Sequence, residues 1–509
     1  MNIYELLAAR NHTGFDFPCA GKKTCKKCRV KITGGFENIA PPGEEEKKYL
    51  SAEDIKNNIR LACMCEITGG NDTGGVSAEP ENSGRSLHVQ TLGLTSRDMS
   101  ADIYDCEGRY DYDALGIAAD IGTTTVAAYI YSMKTGELLG YAGAENPQRI
   151  HGADVISRIN YTVERPADGL KNMRDLILNC LSGLTDTICG KNNIQRKNIH
   201  SAVLAGNTVM QCFAAGIDPR SIAVAPFTPP DLFGYEIPAD KLLRGLGGGA
   251  RVYFAPAFAG YVGGDIAAGI IAADMDLSGK TRLYLDIGTN GELGLGNSGG
   301  LLFCAAAAGP AFEGAHIECG TAGIPGAINK IELKDGGITY ETIGGAPPVG
   351  ICGSGIIDAC AAMLELGILD ETGLIELGGG ADNFTVCGNI YISQKDIREI
   401  QLAKAAISAG IATLLHHSGS TLEDIDEVIL AGGFGAHINK KSACRIGLIP
   451  PELEHKIVTA GNAAGMGASA VLLNKRARER IKKLNGISSY TELSGDAFFM
   501  DEYIERMMF

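Results

Sequence analysis

Tryptophan is absent from this 509-residue chain and aromatic residues make up only 6% of it. Basic residues are also scarce, 45 Lys and Arg against 60 Asp and Glu, for a net charge of −15. That balance argues against general nucleic-acid binding, which needs a basic footprint. No apolar run reaches the roughly 18 residues of a membrane-spanning helix, and the opening MNIYELLAAR carries Glu5 and is too short for a signal peptide. The expectation is a cytoplasmic protein with neither membrane nor nucleic acid as partner. What the chain has in excess is glycine, 68 residues, which points to tight turns and close backbone approaches. Its length predicts several domains, and 45% hydrophobic residues suit a globular fold. Most of the 15 cysteines stand alone in apolar runs and read as small buried hydrophobes of a reducing compartment.

Four cysteines break that pattern. PCAGKKTCKKC near the start holds Cys19, Cys25 and Cys28, and RLAC brings Cys63 after a gap of 34 residues. One close pair, a third thiol just upstream and a distant fourth suit a [2Fe–2S] cluster, although five residues separate the first two, one more than the plant-type spacing. The competing reading is a structural zinc site, whose ligands usually come as two close pairs, and only one close pair precedes the distant cysteine. Cys65 could replace Cys63; RLAC, which resembles the ferredoxin ending, favours Cys63.

Residues 1–72 are expected to form a small domain. Ile3, Leu6 and Leu7 have helical spacing, and Arg29–Ile32 reads as a strand after the cysteine loop. The loop resembles that of [2Fe–2S] ferredoxins, a resemblance that implies a β-hairpin ahead of this helix; none is legible here, which would expose a sheet edge. Lys22, Lys23, Lys26, Lys27, Arg29 and Lys31 surround the cysteines. They read either as a solvated loop or as a docking face for an acidic redox partner. Residues 73–114, polar and rich in Gly and Ser, are expected to be a linker.

The remainder contains an internal repeat. LGIAADIGTTTVAAYIYSMKTGELLGYAGAEN, 115–146, follows the same strand–turn–strand plan as RLYLDIGTNGELGLGNSGGLLFCAAAAG, 282–309. NIHSAVLAGNTVM, 198–210, matches DIDEVILAGGFGA, 424–436, each preceded by an amphipathic helix (171–189 and 397–417). In Asp120-Ile-Gly122-Thr123-Thr124-Thr125, glycine lets backbone approach a phosphate while amides and hydroxyls donate to it. A strand-end carboxylate can hold Mg²⁺ through water. Asp286-Ile-Gly288-Thr289-Asn290-Gly291-Glu292 offers the same set, and the turn at Gly432, Gly433 and Gly435 can accept adenosine against bare backbone. Asp265 in GYVGGDI is a further cleft carboxylate, Glu292 a candidate base, and Asn207 a turn residue. Gly-rich 306–315 and 350–358 suit either a cleft role or close helix packing.

In this order the three segments resemble the phosphate-1, phosphate-2 and adenosine motifs of the superfamily of acetate and sugar kinases, heat-shock chaperone ATPases and actin. The resemblance spans 115–477 and implies ATP and Mg²⁺ clasped between two lobes, with Asp120 and Asp286 as the catalytic pair. The expected fold class is α/β for the main part: duplicated ribonuclease-H-like lobes, 115–280 and 281–477, preceded by a small α+β ferredoxin-like (β-grasp) domain. A tail, 478–509, follows.

A ferredoxin module ahead of such an ATPase, together with NPQRIHGADVISRI, APFTP, AAGPAFEG, GICGSGIID and QKDIREIQLAKAAI, resembles the reductive activators of corrinoid-dependent methyltransferases. That resemblance implies ATP-dependent reduction of a Co(II) corrinoid protein to Co(I), with a low-potential electron donor. It also admits a homodimer, although residues 73–114 are too few for the small domain some relatives carry there. The loop departs from the family at Ala20, Lys23 and Lys26, where relatives tend to have glycine. Two enzymatic alternatives stand beside it: a small-molecule kinase with a regulatory cluster, and an ATP-dependent redox activator of a radical dehydratase, which would need lobe cysteines such as Cys319 and Cys352. A chaperone-like ATPase is the non-enzymatic one.

Overall fold

A computed structural model describes residues 1–9, 21, 23, 28–68, 76–80, 114–334, 336–377, 383–435 and 437–509. Cys19 and Cys25, with most of the basic loop around them, lie outside the described residues. The first domain opens with the helix Ile3–Ala9. Strands β1 (Arg29–Gly34), β2 (Ile59–Leu61) and β3 (Ser77–Pro80) form an antiparallel sheet in the order β2-β1-β3. β3 falls where the linker was expected to begin: Val76, buried just ahead of it, draws the chain back onto β1. Ile3, Leu6, Leu7, Val30, Ile32 and Leu61 make the core, and Ile150 and Leu176 of the next lobe pack into the same cluster.

The first lobe holds a six-stranded sheet of β4 (Leu115–Ile121), β5 (Thr125–Ser132), β6 (Leu138–Glu145), β7 (Ile199–Gly206), β8 (Glu236–Pro238) and β9 (Arg251–Phe254), in the order β6-β5-β4-β7-β9-β8. The second holds β10 (Arg282–Ile287), β11 (Gly291–Asn297) and β12 (Gly300–Ala306). An insertion follows: a sheet of β13 (Ala327–Lys334), β14 (Gly337–Thr342) and β15 (Gly350–Ile351), then the hairpin β16 (Asn383–Cys387) and β17 (Ile390–Ser393). β18 (Glu427–Ala431), β19 (Ile457–Gly461) and β20 (Ser488–Tyr490) complete its main sheet, order β19-β18-β10-β11-β12-β20.

The duplication is visible in the registers. β4 runs antiparallel to β5 and parallel to β7, as β10 does to β11 and β18. Asp120 therefore lies opposite Ala205 of β7, and Asp286 opposite Ala431 of β18. Branched, apolar strand residues buried on both faces explain the central parallel pairs. The helices Gly264–Ala272 and Ala463–Leu473 cross between the lobes so closely that a Cβ on Gly467 would run into the Ala268 carbonyl. Residues 478–509, which read in sequence as a tail, supply β20 and the helix Ala497–Glu505, which packs on the helix Gln394–Ser418. Strands as short as β3 and β20 carry too few residues for a periodic signal, which is why the sequence reveals neither.

Candidate functional site

The first Asp-Ile-Gly-Thr turn is built from beneath. Its Gly122 sits so that a Cβ would meet the Thr125 carbonyl oxygen at 2.7 Å, which keeps the turn tight and bare. Gly122 O accepts from Asn146 Nδ2 at 2.8 Å and Thr123 O from Arg158 Nη2 at 2.6 Å. Arg158 is wholly buried and also donates to Gly152 O and Gln148 Oε1, while Gln148 donates to Met173 O. The carbonyls of Gly122 and Thr123 are thereby held inward, while the Thr124 hydroxyl reaches across to the second lobe. Neither Asn146 nor Arg158 stands out in the sequence as a site residue.

The second turn follows β10, where Gly288 N donates to Asn290 O at 2.9 Å. Gly432, with φ of 79°, comes directly over Asp286: a Cβ there would strike the carboxylate. This brings the turn Gly432–Gly435, expected from sequence to take adenosine, against the second Asp-Ile-Gly-Thr turn, with Gly433 and Gly435 on the same short helix. Gly291 behaves differently from the sequence expectation. It is buried at the start of β11, and a Cβ would meet Ile407 Cγ1 at 2.9 Å, so its bareness serves packing of the helix Gln394–Ser418.

Glu313 joins the two turns. Thr124 Oγ1 donates to its Oε1 at 2.9 Å and Thr289 Oγ1 to its Oε2 at 2.7 Å. Glu313 ends the 3-10 turn Pro310–Glu313, whose Phe312 stacks on Phe434 of the Gly432–Gly435 turn, centroids 5.6 Å apart. In sequence, 306–315 is marked only by its glycines.

Three aspartates at this cleft are partly buried and close enough for their charges to act on one another. Burial first, then the charges of Asp265 and Asp286, push Asp120 up to about 8, against a hydrogen bond from Asn462. Burial and Asp265 push Asp286 up to about 7. Burial raises Asp265 to about 6 despite backbone donors. Glu292, the candidate base, is buried opposite Asp286 and raised by burial and by Asp265 and Asp286. Among the described residues no three His, Cys, Asp or Glu side chains converge closely enough to hold a metal ion directly. Mutually repelling carboxylates of this kind are suited to a hydrated cation shared among them. Asn462 also escapes a reading of the sequence, yet AGN at 460–462 repeats AGN at 205–207, and both asparagines cap the helix that follows their strand.

In the first domain, Cys28 Sγ and Cys63 Sγ lie 2.9 Å apart in the core. The segment before Cys63 is fixed by a buried ion pair: Arg60 Nη2 meets Glu46 Oε2 at 2.7 Å, and Leu61 N donates to Glu46 Oε1. Cys65 is buried too, and burial pushes its thiol up to about 12. The converging pair is thus Cys28 with Cys63. Cys319 and Cys352 donate separately to Asn389 O and Ile328 O.

Comparison with known proteins gives this cleft a lineage. Residues 280–509 match the family model described as the C-terminal domain of RACo, the ASKHA domain, and residues 115–278 match the RACo middle region. The chain is 35% identical over 423 residues to the corrinoid activation enzyme RamQ of Eubacterium limosum, covering 77% of this chain and 70% of that one. The chain belongs to the RACo family. Another relative, the [Co(II) methylated amine-specific corrinoid protein] reductase of Methanosarcina barkeri, is 26% identical over 400 residues, 71% of this chain and 70% of its own. A solved structure titled reductive activator for corrinoid, iron-sulfur protein superposes with a TM-score of 0.70 at 32% identity, covering all of this chain and 95% of that one. A separate match of 64 residues, 12% of this RACo-family chain, is 34% identical to 2Fe-2S ferredoxin-5 of Aquifex aeolicus, covering 67% of it. The two main lobes are accordingly the ASKHA, actin-like ATPase fold that the motif resemblance implied. Among the described residues no helix is long and apolar enough to cross a membrane.

Proposed function

We propose that this protein is an ATP-dependent reductive activator that returns a partner corrinoid protein from Co(II) to Co(I) in a reducing cytoplasm, using a low-potential electron donor and a [2Fe–2S] cluster. The observation that carries the reading is one chain uniting two facing Asp-Ile-Gly-Thr turns with a buried Cys28–Cys63 thiol pair. Cys19, Cys25, Cys28 and Cys63 would hold the cluster, which supplies one-electron transfer when bound. Cys28 and Cys63 fit that role because their sulfurs already converge and the Arg60–Glu46 pair fixes the strand leading to Cys63.

Thr123, Thr124, Thr125, Thr289 and Asn290, with the bare backbone at Gly122 and Gly288, are assigned to the phosphates; Gly432, Gly433 and Gly435 are assigned to adenosine. Asp120 and Asp286 would orient Mg²⁺ and the attacking water, and the raised proton affinity of both supports a need for cationic charge in the cleft. Plant-type clusters sit near roughly −400 mV, and the Co(II) corrinoid is taken to be harder to reduce, so the electron moves uphill. ATP then acts by changing the relation of the lobes and with it the affinity for the corrinoid partner.

The test is anaerobic mixing of the protein, reductant and a Co(II) corrinoid protein with Mg·ATP. Co(I) absorbance should rise only with nucleotide; no Co(I) above the ATP-free control sinks the proposal. Iron and sulfide analysis of Cys63→Ser and Cys65→Ser checks the ligand set, with loss of bound iron expected only in the former.

A further inference from the structure

We infer that Glu313 is a stand-in for the γ-phosphate, and that its displacement is how the cleft distinguishes ATP from ADP. The inference rests on the nucleotide reading above and adds a residue to it. Both turns assigned to phosphate direct a threonine hydroxyl onto this one carboxylate, Thr124 to Oε1 and Thr289 to Oε2. A carboxylate offers two oxygens as acceptors, as a terminal phosphoryl group does, so the two groups compete for the same pair of donors. A triphosphate reaching both turns must take those hydroxyls from Glu313. A diphosphate, one phosphoryl group shorter, leaves the carboxylate where it is.

The movement this requires belongs to the Glu313 side chain. Pro310–Glu313 is a single 3-10 turn between Gly309 and Gly314, whose φ values of 73° and 76° suit glycine alone. A Cβ at Gly309 would meet nothing within 4 Å, so space surrounds that end of the turn. The rest of the turn is anchored: Ala311 and Phe312 are buried in the second lobe's core, Phe312 stacks on Phe434, and the Phe312 carbonyl lies where a Cβ on Gly353 would strike it. Rotation of the Glu313 carboxylate away from the cleft is therefore felt at both phosphate turns, with the backbone of its own turn kept in place. A ligand can drive such a change only by interacting differently with the two states, and the γ-phosphate supplies that difference.

Titration calorimetry of the full chain with the magnesium complexes of β,γ-imido-ATP and of ADP tests this, comparing the wild-type protein with Glu313→Gln and Glu313→Ala. Removing the competitor should tighten the triphosphate about fivefold in the alanine variant, with a smaller gain for glutamine, the equivalent of losing one or two hydrogen bonds to be broken. ADP affinity should stay within about twofold, a split that general loosening of the structure would not produce. Equal shifts for both nucleotides, unchanged affinities in both variants, or weaker triphosphate binding would overturn the stand-in role and leave the nucleotide site in place. Failure of the wild-type protein to bind either nucleotide would overturn the nucleotide reading itself, and this inference with it.

Discussion

The two lobes present the same four residues, Asp-Ile-Gly-Thr, on the same strand in the same register, yet they support them differently. In the first lobe the turn carbonyls are tied down by Asn146 and by Arg158, a side chain without solvent exposure. In the second, the turn closes on itself through Gly288 and Asn290, with Gly432 overhead and Glu313 of the same lobe bonded to Thr289. The stiff turn is also the one joined to the thiol domain, since Ile150, from the segment that Gln148 and Arg158 brace, packs in that domain's core. The other lies under Gly432, on the side proposed for adenosine. A duplicated motif can thus keep its chemistry while one copy becomes an anchor and the other a sensor.

The largest expected break in that comparison is Arg158→Ala. It removes donors from Thr123 O, Gly152 O and Gln148 Oε1 inside the protein, and groups left without partners there are expensive. Denaturant unfolding should show a loss of about 3 to 5 kcal/mol, with no rescue by lysine, which lacks the fork. Gly432→Ala attacks the other lobe. The left-handed φ alone costs on the order of 1–3 kcal/mol, and the new methyl collides with Asp286. Triphosphate binding should fall more than about tenfold, whereas Gly433→Ala, where no positive φ is required, should fall less.

A pH titration sharpens the contrast, because His151 belongs to the first lobe's bracing. The ring is buried and stacked on Tyr161 at 3.8 Å, and burial, then Arg165 and Arg158, push it down to about 4. The folded state resists a proton that the unfolded chain accepts at its ordinary value. Stability is therefore complete above that ordinary value, falls as pH drops from about 6.5 toward 4, and levels off below. Between pH 7 and 5 the loss should be about 2 kcal/mol, and His151→Phe should flatten that part of the curve. A curve of unchanged slope in the variant would remove His151 from the account.

Much of this site is legible in the amino-acid sequence, and the reason is local. Strand-end aspartates followed by glycine and threonine, repeated at matching places, carry their meaning in a few adjacent residues, as do the apolar strands and turns around them. Arg158 and Glu313 escape because their role exists only across the fold. Nothing near Arg158 in sequence marks its charge as buried, and Glu313 is 189 residues from Thr124. Gly291 errs in the opposite direction: it sits in the motif, but packing against Ile407 explains it. RLAC favours Cys63 over Cys65, and the sulfur facing Cys28 is that of Cys63.

The smallest effect tests whether anchor and sensor are coupled at all. Thr124→Ala and Thr289→Ala each delete one hydroxyl donor to Glu313 and, in the nucleotide-free protein, should each cost about 1 kcal/mol by chemical unfolding. Repeated in a Glu313→Ala background, both substitutions should become nearly silent, giving coupling energies of about 1 kcal/mol in two double-mutant cycles. Equal couplings mean that the carboxylate holds the turns together evenly. A coupling present for Thr289 but absent for Thr124 would mean that the first turn, already pinned by Arg158 and Asn146, gains nothing from the contact, and that all the movement belongs to the second lobe.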